Sequence, residues 1–231
     1  MTGVTGVRLG AALARERLRG AALALSLALA SSCCVVYVLG VVGRRSGGGA
    51  DGVLEGPVFG LALPVLAYLL SERLCDAQRV DRSVDSLARY GADRRAALLG
   101  VLLVSAVGTA LGGALLTLAA LLGSHSPHAG NFGGDLGVSL AIAALSGAVY
   151  AVWFGAASLL GKRGGGRRWA LILDFLLGAG SSALAAPWPR GHARNLLGGA
   201  PVLDLSQSGA WLALLVIGSA SVALSVARTP S

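Results

Sequence analysis

The chain is short of charge, of lysine, of cysteine and of aromatic rings, and each shortage narrows what it can be. Only 13% of its 231 residues are charged while 55% are hydrophobic, and the mean hydropathy is +0.72. A soluble domain of this composition would have to hide far more apolar surface than its core could take, which excludes that class. The three cysteines make no disulfide framework. Cys33 and Cys34 are neighbours in an apolar run and Cys75 lies in a polar one, so all three read as small buried hydrophobes. None of the histidines, His125, His128 and His192, falls inside an apolar run. That removes a histidine-activated serine from the membrane, and with it an intramembrane protease. His125 and His128 stand near Asp135, but no third and fourth ligands follow at supporting spacing, so no metal is expected.

Two glycine-rich stretches also lack what their chemistry needs. Around Gly161 and Lys162, the phosphate-loop pattern would require Gly where Ala156 stands and Ser or Thr where Arg163 stands. The chain has no ATP hydrolysis by that device. The run Gly178-Ala179-Gly180-Ser181-Ser182-Ala183 has no strand before it and lies in an apolar segment, so it is no dinucleotide fingerprint. Lys162 is the only lysine, and the bias to Arg, Ala and Gly suggests a bacterium with a GC-rich genome.

What the chain does have is apolar length. A crossing needs about 20 apolar residues for a hydrocarbon core of roughly 30 Å. Six stretches qualify, 21–42, 54–70, 96–122, 136–160, 169–186 and 209–227, within a single transmembrane domain of residues 1–231. The expectation is an all-α polytopic membrane protein with both termini on one side. Fifteen of the 19 basic residues fall in the N-terminal segment, in 71–95, after the fourth run or at the C-terminus. Basic residues flanking spans stay inside, so these parts are expected in the cytoplasm and the protein in the cell's inner membrane. The net charge of +8 then reflects topology and anionic headgroups, with no call for nucleic acid. Residues 1–20, which include the basic run Val7 to Gly20, predict an amphipathic helix at the inner interface.

The long polar segment is Ser71 to Arg95. Beneath its charges Leu74, Ala77, Val80, Val84 and Leu87 recur at steps of three and four, which predicts an amphipathic helix. Gly91 suits a helix C-cap and Asp93 an N-cap, so a stiff polar elbow between two spans is expected. Elsewhere, Pro57 and Pro64 predict a kinked second span. Gly108 with Gly112, and Ala143, Gly147, Ala151 and Gly155, mark close helix packing, either within the chain or between two copies. Asp174 is an acid inside an apolar run, about 9 Å past Arg168 along a helix. It is expected either to pair with an arginine at the inner end or to serve in ion coupling. The segment 186–208, with Pro187, Trp188 and Pro189, either dips back into the membrane or lies on the headgroups.

The stretch from Leu87 to Gly100 resembles the inner loop of type-2 ABC exporter permeases. That family has a Gly-Thr-x-Glu-x-Leu run, a turn, a small polar residue and basic residues opening the third span. Ser83 and Asp85 would stand for the Thr and Glu, Gly91 for the turn and Asp93 for the cap, while Arg82 replaces the family's Gly. The resemblance implies that 71–95 is a cytoplasmic coupling helix seated in a separate ABC ATPase. Ser83, Asp85, Leu87, Arg89, Tyr90, Gly91, Asp93, Arg94 and Arg95 would form the coupling site. It further implies two permease copies or homologues with two ATPase subunits, which hold ATP and magnesium, and no cofactor or catalytic residue in this chain. The alternatives are an ion-coupled carrier using Asp174 and a membrane scaffold without transport.

Overall fold

The computed structural model describes residues 3–46, 50–125 and 132–230, and among them every regular element is helical. His128 lies outside the described residues. Helix α1 spans Gly3–Arg19 and α2 Ala22–Arg45. Helix α3, Ala50–Leu74, includes a π-wound section at Leu54–Ala62 that contains Pro57. The short α4 is Asp85–Ala88, followed by α5, Arg94–Ser124, and α6, Phe132–Ala157. The chain ends with α7, Gly166–Leu177, α8, Pro189–Leu196, and α9, Gln207–Arg228.

Five of these, α2, α3, α5, α6 and α9, are long and apolar enough to cross a membrane. The expected fifth crossing at 169–186 is not among them. Helix α7 has 12 residues, about 18 Å at 1.5 Å per residue. It stops at Leu177 because Gly178, Gly180, Ser181 and Ser182 follow, and its open end is closed by side chains from further along. Arg190 donates to the Phe175 carbonyl at 3.2 Å, and Arg194 donates to the Ala179 carbonyl. Orphan carbonyls at a helix end need such partners, and here they come from a sequence-distant helix.

Small residues let α5 act as the central post. A Cβ on Gly147 of α6 would lie 2.8 Å from the Thr109 carbonyl and 3.0 Å from the Ala110 Cα, both on α5. Gly10 of α1 and Gly100 of α5 likewise leave no room for a side chain against the facing backbone. The glycine spacings therefore serve contacts within the chain. A core of Phe59, Leu63, Leu116, Tyr150, Phe154 and Leu214 fills the middle of the bundle. A second, around Leu74, Val80, Val84, Leu98 and Val101, fills the elbow end.

Helix α1 covers most of the segment 1–20 and is held by the bundle. It packs its Gly6, Gly10 and Ala14 face along α5. Arg17 reaches under the bundle to donate to the Leu74 and Ser83 carbonyls at 2.5 and 2.8 Å. At the chain's other end Arg95 donates to the Thr229 carbonyl at 3.3 Å. Both described termini therefore lie at the end of the bundle that carries the elbow.

Candidate functional site

The expected amphipathic helix over 71–95 is not continuous. Helix α3 ends at Leu74, and Asp76 and Ala77 then adopt left-handed φ values of 54° and 51°. An L-residue in that region is disfavoured by about 1–2 kcal/mol, so the chain leaves the helix there and runs as successive turns to α4. The apolar series still points inward: Leu74, Val80 and Val84 are buried, while Ala77, at the break, is exposed. Buried backbone in turns needs partners, and the rest of the bundle supplies them. The Val80 N–H donates to the Ser158 hydroxyl at 2.9 Å, and Arg167 donates to the Gln78 carbonyl at 2.6 Å. Together with the two bonds from Arg17, the elbow is tied to α1, to α7 and to the end of α6. Arg79 grips Asp81 through two bonds of 2.8 and 3.0 Å.

The residues proposed for coupling divide by position. Ser83 is buried and donates to the Val80 carbonyl at 2.7 Å, so its side chain faces the bundle. Leu87 is half-buried against the elbow core. Asp85 lies 3.6 Å from Arg94. Arg89, Tyr90 and Gly91 form the exposed tip, with Tyr90 88% exposed and Gly91 at φ 80°. Asp93 caps α5, its Oδ1 accepting from the N–H of Arg95 at 2.9 Å and of Ala96 at 3.5 Å. Ala88, Ala92, Asp93, Arg94 and Arg95 line a shallow depression beside the tip.

Arg167, whose charge in the sequence resembles any other inner-end charge, is 2% exposed and one of the largest buried side chains. The sequence carried no local sign of this, because the carbonyl it serves is 89 positions away. Burial pushes the Cys75 thiol up from its ordinary value, against the downward pull of nearby Arg167 and Arg17.

A second polar group lies deeper. Asp174 has no exposed surface, and its Oδ2 accepts from the Tyr150 hydroxyl at 2.9 Å. Its Oδ1 has no hydrogen-bond partner. The expected pairing with an inner-end arginine does not form, since Arg167 is committed to the elbow and Arg168 lies 3.7 Å from Glu72. Instead α8 approaches from the opposite end, its Arg190 guanidinium 5.4 Å from the Phe175 ring centroid. Arg194, one turn on, lies 3.6 Å from Glu55 and donates to the Ala200 carbonyl at 3.1 Å. His192 Nε2 donates to the Ala186 carbonyl at 2.8 Å, and Asn195 donates to the Leu205 carbonyl at 2.9 Å. Within 186–208, α8 folds against the bundle, with Pro189, His192, Ala193, Asn195 and Leu196 buried. Tyr150, Glu55, Arg190 and Arg194 were not singled out from sequence. The one available signal was Glu55, an unbalanced acid near the start of an apolar run.

Among the described residues no three His, Cys, Asp or Glu come together as a metal site. The class defined by fold and composition is that of a helical membrane protein: five membrane-length apolar helices, an anchored polar elbow at one end and a buried ionic group towards the other. No protein-family description, curated protein or solved structure matches the chain.

Proposed function

We propose that this chain is the membrane-spanning permease subunit of an ATP-driven exporter, with ATP hydrolysed by a separate cytoplasmic ABC ATPase docked on the elbow. The observation that carries the reading is the construction of that elbow. Its turns are bonded to α1, α6 and α7, while its tip, Arg89, Tyr90 and Gly91, is left facing outward. A loop serving only to connect two spans has no need of three sets of anchors. Force applied at Tyr90 would pass through α4 and the Asp93 cap into α5, and through Leu74 into α3. Two such chains and two ATPases would make the working unit in a bacterial inner membrane, elbows and termini in the cytoplasm, with substrate crossing between the permease halves. The resemblance of 87–100 to type-2 permeases supports the same reading.

The test follows from what the tip leaves free. Because Arg94 sits beside Asp85, the cleaner variant is Arg89→Glu combined with Tyr90→Ala. It is expected to lose copurification with the ATPase while inserting normally in the membrane, and unaltered association would contradict the assignment. A second reading, an ion-coupled carrier, is favoured by the unpartnered Oδ1 of Asp174. The two separate on vanadate: transport by the permease complex stops, whereas transport by a carrier continues and is lost only with Asp174→Asn.

A further inference from the structure

Away from the elbow, the π-wound start of α3 faces α8 across a cavity of about 260 Å³ lined by Gly52, Glu55, Gly56, Phe59, Arg190 and Arg194. Two guanidiniums face one carboxylate, so this lining carries a net positive charge. Asp174 lies outside the lining, held at one oxygen by Tyr150, and its attraction for Arg190 from α7 offsets part of that charge. The arginines are fixed from behind. Arg190 donates to the Phe175 carbonyl, and its Nη2 would lie 3.0 Å from a Cβ at Gly60, so the guanidinium lies close against α3. Arg194 is held by the Ala179 and Ala200 carbonyls. Its Nε is buried without a hydrogen-bond partner, the nearest carboxylate oxygen being Glu55 Oε1 at 3.6 Å.

An arginine whose fork is preset and whose Nε–H is unused is matched by an oxyanion, which accepts at two oxygens side by side. The wall opposite is bare: a Cβ built at Gly52 or Gly56 would meet nothing within 4 Å. The π-winding of Leu54–Ala62 sets Glu55, Gly56 and Phe59 on this wall, and such winding recurs at functional sites. The volume is below the usual range for drug-sized ligands, which limits the occupant to a small group.

We propose that this cavity binds a small oxyanion, a phosphate or a carboxylate, between Arg190, Arg194 and the bare glycine wall, with Glu55 as the rim group it displaces from Arg194. The site does not depend on the ATPase reading. The chemistry has two sources, a free anion or the phosphate of a lipid headgroup, and two arms tell them apart. In phosphatidylcholine nanodiscs the full chain is titrated calorimetrically with inorganic phosphate. In nanodiscs containing phosphatidylglycerol, lipid retained through delipidation is counted by native mass spectrometry.

Gly56→Asp projects a carboxylate into open space opposite the arginines and is expected to weaken binding at least about tenfold, since like charges at short range are strongly disfavoured. Gly56→Asn, equal in reach and uncharged, is expected to bind within about threefold of wild type, a difference under about 1 kcal/mol. Glu55→Gln is expected to tighten binding. Saturable phosphate binding lost with Gly56→Asp supports a free anion, and retained phosphatidylglycerol lost with the same variant supports a lipid. Absence of both, or equal binding by Gly56→Asp and Gly56→Asn in thermally intact protein, overturns the proposal.

Discussion

Single side chains decide how the elbow begins and ends. Asp93→Ala removes the acceptor for two N–H groups at the start of α5 and is expected to cost about 1 kcal/mol, the usual worth of an N-cap, measured by denaturant unfolding in micelles. Tyr150→Phe removes the side-chain hydrogen bond that Asp174 accepts in a site with no exposed surface. Its expected cost is larger, about 1–3 kcal/mol, because a buried polar group then goes unsatisfied. Cys75 combines burial with a raised thiol pKa. With Cys33 and Cys34 replaced by alanine, a maleimide at neutral pH is expected to leave Cys75 unlabelled until the protein is denatured. Labelling of the folded protein would show the elbow to be open. At this scale the sequence was legible where the chemistry is local. Asp93 and Gly91 announce a cap and a turn within four residues of one another. The roles of Arg17, Arg167, Arg190 and Arg194 were not legible, because each serves a carbonyl on another element and nothing near it in the chain marks the partner.

Helices and turns show a different limit. Apolar length and scarcity of charge located α2, α3, α5, α6 and α9 well, because crossing a bilayer demands both. The same criteria misjudged α7, where hydropathy continues past Leu177 but glycine and serine end the helix. Periodicity misjudged the elbow, where helical spacing is kept by the inward residues but the backbone turns at Asp76 and Ala77. Helix α1 is the element whose packing is most exposed to a single change. Gly10→Leu would drive a side chain into the Ala97 backbone and is expected to detach α1 from α5, with Arg17 leaving the elbow. Trypsin cleavage near Arg15 and Arg17 in inside-out vesicles is expected to rise several-fold, the order expected when an opening becomes easier by about 1 kcal/mol. Cleavage equal to wild type would mean that this contact does not hold α1.

The molecule as a whole has polarity from end to end. Termini, elbow, and the turn from α6 to α7 share one end, and α8 with its arginines fills the approach to the other. Helix α2 is the least covered span, with 11% of its apolar window buried against 50% for α3, which leaves its surface to lipid or to a second copy. The central claim is that the elbow tip meets an ATP-hydrolysing partner in the cytoplasm, and the most direct measurement places a photo-crosslinking amino acid at Tyr90 in living cells. Its adduct is expected to contain a nucleotide-hydrolysing subunit, while the same group at the apolar, exposed Leu61 yields lipid. Lipid adducts at both positions, or a residue 90 reached by impermeant reagents from outside the cell, would contradict the claim.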